Sequence, residues 1–331
     1  MPTRQAPAPG DPSIWVGMLI LYVVWGSTYL GIAVAVDTIP PFLMAASRFM
    51  IAGLILFGWS IARAGRAFQW PSLREWRDSA IVGALLLGGG MGLVAFGEQT
   101  VASGIAALFI AMMPVWVAIL GRVFLGERLP RLAVVGVVLG FAGVAILVGP
   151  SAWGGADALE PVGAAALLLS PIAWSIGSLF ASHRAALPPR PLVSTGAQML
   201  TGSLTLLVMS ALSGELGGFR METVSRDSII ATAYLTLIGS LVAFTAFGWL
   251  MRVAPLPLIT TYAYVNPVVA VILGAIVLSE PLEPRTLVAG AVIIVAVAVI
   301  VTARGRMHVR RTARVPSGSD VVVAVSARTT H

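Results

Sequence analysis

Lysine and cysteine are absent from the 331 residues, and histidine occurs only three times, at His183, His308 and His331. Without lysine there is neither the phosphate-gripping amine of a nucleotide-driven pump nor a Schiff-base nucleophile, so the chain does not power itself with ATP. Without cysteine there are no disulfides and no thiolate metal ligands, and the redox compartment leaves no trace in the sequence. Three scattered histidines assemble neither a metal site nor an acid/base triad, so no cofactor and no metal are expected. Charge is scarce as well: 11% of residues are charged against 58% hydrophobic, and the mean hydropathy is +0.93. A water-soluble domain carries about 25% charged residues. These absences point to an integral membrane protein whose partner is membrane lipid, with no nucleic acid.

A membrane-crossing helix needs about 20 apolar residues. Ten such spans can be drawn: 14–36, 41–61, 79–97, 101–121, 132–148, 161–182, 191–212, 229–251, 257–278 and 286–301. The sequence thus predicts an all-α membrane protein of ten transmembrane helices. Ala33-Val34-Ala35 imitates a signal-peptide cleavage site, but the apolar run before it is too long for one, so the first span is expected to stay attached. Arginine placement sets the orientation, because positive charge is retained in the cytoplasm. With the amino terminus inside, only Arg220, Arg226 and Arg285 fall outside, Arg48 lies within a span, and the other seventeen of the 21 arginines are cytoplasmic. Both termini are therefore expected in the cytoplasm, in a multi-pass protein of the cell (inner or plasma) membrane. Trp15, Trp59, Trp70, Trp76 and Trp153 fall near span ends, where indoles favour the interface.

One phrase occurs twice, 153 residues apart: Pro114 to Gly126-Glu127, and Pro267 to Ser279-Glu280, with thirteen residues from proline to glutamate in each copy. Ala95-Phe96-Gly97 and Ala246-Phe247-Gly248 also match, as do Trp25 with Ser27 and Trp174 with Ser175. Each half holds five spans, an odd number, so the second copy enters the membrane with opposite polarity, as in many secondary transporters. The expected organisation is a cytoplasmic tail over 1–13, a five-helix repeat over 14–150, a Gly/Ala-rich loop over 151–160, an inverted five-helix repeat over 161–302, and a basic tail over 303–331. The last is expected to be disordered and drawn to the anionic inner leaflet.

The run Trp25-Gly26-Ser27-Thr28-Tyr29, then Ile39-Pro40-Pro41-Phe42 and Ala45-Ala46-Ser47-Arg48-Phe49, resembles the opening of EamA-type members of the drug/metabolite transporter superfamily. Ser103-Gly104-Ile105-Ala106-Ala107 through Pro114 to Leu125-Gly126-Glu127 is similar to that family's fourth span and its exit. The resemblance covers nearly the whole chain. It implies a ten-helix carrier with a central cavity, transporting small metabolites, amino acids or toxic compounds, in many members by export.

Candidate site residues follow from what lipid tolerates. A helix-interior proline frees a backbone carbonyl, which is acceptable at membrane depth only beside protein or a wet cavity. Pro114 and Pro267 are thus candidate gating kinks, or static kinks packed between helices. Thr260, Thr261, Tyr262, Tyr264 and Asn266 gather polar groups just before Pro267, and polar groups in a span point inward. Together with Trp25, Tyr29, Trp174, Phe244 and Phe247 they are candidates for an aromatic-lined substrate pocket, the alternative being interhelical hydrogen bonding. Arg48 and Glu98 are ionisable groups in or at the end of a span. Glu98 is a candidate for coupling transport to protons, and Arg48 is expected to be structural, since the resembled family keeps arginine there across different substrates. Glu127 and Glu280, at span exits, are expected to cap or to pair in loops. Gly88, Gly89, Gly90 and Gly92 cannot be a phosphate loop, lacking both strand and lysine, and with Gly136 and Gly140 are expected to allow close helix contact.

The expected function is a secondary transporter, gradient-driven, exporting small organic molecules by alternating access. A facilitator or importer remains open, as does a membrane sensor signalling through its tail, although that tail is short. An intramembrane enzyme lacks the residues for a convergent catalytic set.

Overall fold

A computed structural model describes residues 12–126, 130–148, 160–254, 259 and 262–312. Thr261, Glu127, the loop over 151–159 and the chain after Thr312 lie outside the described residues. Among those described there is helix and no strand. Eight helices are long and apolar enough to cross a membrane: α1 (Pro12–Val36), α2 (Pro41–Ala67), α3 (Leu73–Gly97), α4 (Ser103–Leu125), α6 (Pro161–His183), α7 (Pro191–Leu212), α8 (Arg226–Phe247) and α10 (Pro284–Ala303). Two shorter apolar helices, α5 (Arg131–Leu147) and α9 (Val265–Val277), complete the set among the described residues. Helical geometry carries α8 on to Val253 and starts α9 at Tyr262. In α10 it continues to Thr312, past the span end drawn at Val301. The part of the basic tail over 303–312 thus continues the helix of α10. Propagation from a formed helix costs little, and no proline follows until Pro316.

Local chemistry fixes where the helices begin. Pro41, Pro161 and Pro191 occupy first-turn positions, where the missing N–H is no loss. Ser72 and Glu75 form a reciprocal capping box that opens α3. Three carboxylates serve other helix N-termini. Glu215 accepts from the Phe42 and Leu43 amides at 3.2 and 2.9 Å, Glu160 accepts from Val162 and Gly163, and Glu280 accepts from Ser103 and Gly104 at 2.8 and 3.1 Å. A carboxylate at a helix N-terminus satisfies orphan donors and meets the positive end of the helix dipole. Glu280 thus caps a helix that begins 177 positions earlier in the chain, which is the capping expected of it, at a partner the sequence did not name.

The closest helix pairings are α2 with α7 and α5 with α10, followed by α3 with α6 and α7, α4 with α9 and α6, and α1 with α8 and α9. Glycines make these contacts possible. A Cβ on Gly83 would lie 2.5 Å from the Gln198 carbonyl of α7, one on Gly136 would lie 2.6 Å from Ile300, and one on Gly89 would lie 2.7 Å from Ala173. In lipid, where apolar surface gains nothing by leaving the tails, such close backbone approach is a main source of helix association. Large apolar side chains such as Leu54, Val123, Val138 and Ile276 point outward, as lipid demands.

The duplicated phrase ends in the same backbone turn in both copies. Gly126 has φ +66° and Ser279, at the matching place, has φ +54°. The serine departs from glycine in side chain but not in conformation, and it closes α9 with the Glu280 amide donating to the Gly274 carbonyl at 3.1 Å. A non-glycine residue held left-handed costs about 1–2 kcal/mol. Ser279→Gly is therefore expected to stabilise the folded protein by about 1 kcal/mol, read as a higher thermal midpoint in detergent.

Candidate functional site

Helical regularity fails at mid-chain in most of the helices that surround the centre. α1 is a π-helix over Leu21–Trp25, α3 over Ala84–Gly92 and α8 over Leu235–Val242. α4 breaks at Ala111–Met112, while α6 and α9 carry Pro171 and Pro267 in their interiors. Hydroxyls beside the irregularities take up exposed carbonyls. Thr28 Oγ1 donates to the Trp25 carbonyl at 2.6 Å, Ser170 Oγ to that of Gly90 at 2.9 Å, and Ser175 Oγ to those of Pro171 and Met113 at 2.6 and 3.2 Å. Backbone groups that cannot reach water must find such partners.

Around these places lies a cavity. Trp25, Tyr29, Arg48, Trp174, Phe244, Tyr262, Asn266 and Pro267 line it, so eight sequence-predicted residues from α1, α2, α6, α8 and α9 converge on one space. Thr28, Met91, Val94, Ala107, Ile110, Ala111, Met113, Ser170, Pro171 and Ala263 complete the lining. Trp25 is the hub of its aromatic wall, with ring centroids 4.9 Å from Tyr262 and 5.6 Å from Phe244, both edge-on. Phe247 stands behind Trp25, at 5.2 Å, and does not reach the cavity. About 80 Å³ is open to the centre of a water-sized sphere, several times the ~10–15 Å³ one water requires. This is room for a few waters, so a substrate would need the walls to part.

Arg48 and Asn266 bring a cation and an amide into the wall. Arg48 is 2% exposed, its Nε donates to Ser240 Oγ at 2.8 Å, and its guanidinium carbon sits 4.7 Å from the Phe49 ring centroid. Asn266 is 7% exposed and its Oδ1 accepts no hydrogen bond. Pro114 corrects an expectation. It does not kink a continuous helix but lies in the first turn of the second half of α4, just after the break, and Met113 lines the cavity in its place. Proline is well tolerated at a helix start, so the strain is released as a break. Glu98 also stands outside the cavity, as the residue closing α3. It is 6% exposed, and although it lies beside the Ala33 backbone neither carboxylate oxygen makes a hydrogen bond of acceptable geometry. Pro171 and Ser170 were missed in the sequence. Their signal was a polar residue immediately before a span-interior proline, as in Asn266-Pro267.

The EamA-like transporter family matches residues 13–149 and 161–302. The chain belongs to this family. It is 36% identical over 285 residues to the protein named as the uncharacterized inner membrane transporter YedA of Escherichia coli K12, covering 86% of this chain and 89% of that one. It is 26% identical to a protein of Streptantibioticus cattleyicolor named as a probable terminal-alkyne amino-acid exporter, over 87% and 93% of the two chains. A protein of Salmonella typhimurium named as a probable amino-acid metabolite efflux pump is 27% identical over 90% and 96%. A solved crystal structure shares the fold, with a TM-score of 0.60 at 21% identity over 89% of this chain and 99% of that one. The EamA-like protein described here is thus a multi-pass transporter of the cell membrane, and its family is one of transporters, not of enzymes.

The Arg48–Ser240 bond ties α2 to α8 in the cavity wall. Ser240→Ala would leave a buried guanidinium N–H without its partner, at a cost of about 1–3 kcal/mol. A lower thermal midpoint of the Ser240→Ala protein in detergent is the expected result.

Proposed function

We propose that this transporter is a secondary carrier of ten transmembrane helices, α1–α5 and α6–α10 forming two inverted repeats with both termini in the cytoplasm, and that it exports small organic molecules by alternating access. The observation that carries the reading is the central cavity, walled by irregular helices of both halves. Its support extends to the helix pairings: exchanging each helix for the one five places on turns α1 with α8 and α9 into α6 with α3 and α4, and leaves α2 with α7 and α5 with α10 unchanged. The π-helices of α3 and α8 also stand at matching places in the repeat. The boundaries 14–150 and 161–302, the loop 151–160 and the tails 1–13 and 303–331 divide the chain accordingly.

Trp25, Tyr29, Trp174, Phe244 and Tyr262 are the apolar face of the substrate site, Phe247 supports Trp25 from behind, and Thr261 belongs to the same polar run. Asn266 Oδ1 offers an acceptor to a substrate N–H, and Arg48, although held by Ser240, presents a positive charge to the same space. An acceptor and a cation flanked by aromatic rings suit an amphipathic molecule with an amine and a carboxylate, and two relatives are named as carriers of amino-acid compounds. Pro114, through the break before it, and Pro267 are the hinges. Glu98 is the proton-coupling group, since an ionised carboxylate buried without hydrogen bonds is costly and takes up a proton instead.

Flux of amino acids, nucleosides and cationic dyes into proteoliposomes, with and without an imposed pH gradient, tests the reading. Saturable flux of an apolar amino acid that the gradient accelerates is expected, with acceleration lost in Glu98→Gln and affinity weakened about tenfold or more in Trp25→Ala, the scale of losing one buried aromatic contact. Saturable flux indifferent to the gradient would make it a facilitator, and no saturable flux from folded protein would contradict the carrier reading.

A further inference from the structure

A second hollow opens on the side of the bundle, between the start of α1, the start of α7 and the end of α8. Val16 and Ile20 of α1, Leu192 and Thr195 of α7, and Val242 and Ala246 of α8 line it, and among the described residues no charged side chain does. Its volume is about 680 Å³, within the ~300–1,000 Å³ of small-molecule sites and far above the 80 Å³ of the central cavity. Val16 and Val242 at its rim are exposed, so this groove faces the surroundings of the bundle, which along an apolar span are lipid.

Phe244 belongs to both spaces. It lines the groove and the central cavity, with its ring edge-on to Trp25 at 5.6 Å. It is thus a wall common to a small space that holds Arg48 and Asn266 and a large, mainly apolar one. In the repeat proposed above, the matching end of the other half is built from α2, α3 and α6, and it is filled. Phe42 stacks on Phe96 there at 5.7 Å, and a Cβ on Gly97 would lie 2.6 Å from Leu167. Leu192, in the place of Phe42, lines the groove instead. The fold can close this place, and between α1, α7 and α8 it does not.

We propose that the groove is the tail site of the substrate. The amine and carboxylate enter the central cavity beside Asn266 and Arg48, Phe244 turns aside, and the apolar remainder lies between α1, α7 and α8. The transported class is then amphipathic molecules with a tail too long for the central cavity, which reach the protein from the leaflet where α1 and α7 begin. With the orientation read from the arginines this is the cytoplasmic leaflet, the side from which an exporter loads. A phospholipid chain suits apolar walls as well, but Phe244 favours the substrate. The shared wall joins the groove to partners for a polar head at mid-span, a depth that a phospholipid headgroup does not reach. The inference rests on the central cavity as the substrate site and adds the chemical class and the route of what enters it.

The probes are unbranched amino acids that share one head and differ in tail: 2-aminobutyric, 2-aminohexanoic, 2-aminooctanoic and 2-aminodecanoic acid. Binding to the full chain in phosphatidylethanolamine/phosphatidylglycerol nanodiscs is measured by calorimetry, with the signal of empty nanodiscs subtracted. Affinity is expected to rise with tail length, by up to about fourfold per methylene, the scale of fully burying a CH₂ group. Thr195→Phe and Ala246→Phe fill the groove from α7 and from α8, and either is expected to flatten that rise, so that the longest probe binds no more tightly than the shortest. Thermal midpoints identify a variant that fails to fold, and the other then carries the test. Affinity independent of tail length in the unsubstituted protein, which a resident phospholipid would also give, overturns the tail site and leaves the central cavity as the substrate site. A rise that persists unchanged in the folded groove variants does the same. Absence of binding by every member of the series overturns both.

Discussion

A backbone polar group inside a bilayer must be satisfied by the protein, and the centre of this molecule is arranged by that constraint. Regular helices meet it unaided and leave nothing exposed. The helices here depart from regularity by π-turns in α1, α3 and α8, a break in α4 and prolines in α6 and α9. Departures of this kind free backbone carbonyls from the regular ladder. The hydroxyls of Thr28, Ser170 and Ser175 absorb several of these, and the space that remains is the cavity. Cavity and irregularity are one feature, because a close-packed bundle of regular helices would have no room at its centre.

Glycine lets the helices meet closely. Gly83 against α7, Gly136 and Gly143 against α10, and Gly97 against Leu167 let backbones approach until a methyl group would not fit. The acidic side chains belong to the ends: Glu160, Glu215 and Glu280 all neutralise helix N-termini. Glu98, by contrast, is buried without such a partner, and for that reason it carries the proposed coupling.

Much of this was legible in the residues. Hydropathy gave most helix ends to within about six positions, the far end of α10 excepted, and Tyr262 and Asn266 before Pro267 with Trp25, Tyr29 and Trp174 picked out walls of the cavity from helices far apart in sequence. The lines that were not legible have physical reasons. A π-turn has no compositional signature distinct from an α-turn, so the cavity's geometry was invisible. Pro114 reads in sequence as an interior kink, because whether a helix bends or restarts depends on its neighbours, here Ser175 reaching the Met113 carbonyl. Glu280 could be read as a cap but not assigned a helix, since its partner amides lie at Ser103 and Gly104 in the other half. Ser279 looked like a departure from Gly126, yet the backbone requires the same left-handed turn of both.

The central claim is that one cavity faces the two sides of the membrane in turn. Ala111 lies at the α4 break, is 4% exposed and lines the cavity. In a chain without native cysteine, Ala111→Cys is the only thiol. Its reaction with a membrane-impermeant maleimide, applied from either side of oriented vesicles, is the most direct measurement. The account predicts labelling from both sides, with the rates shifting in opposite directions when a pH gradient is imposed. Labelling from one side only, under every gradient, would contradict it.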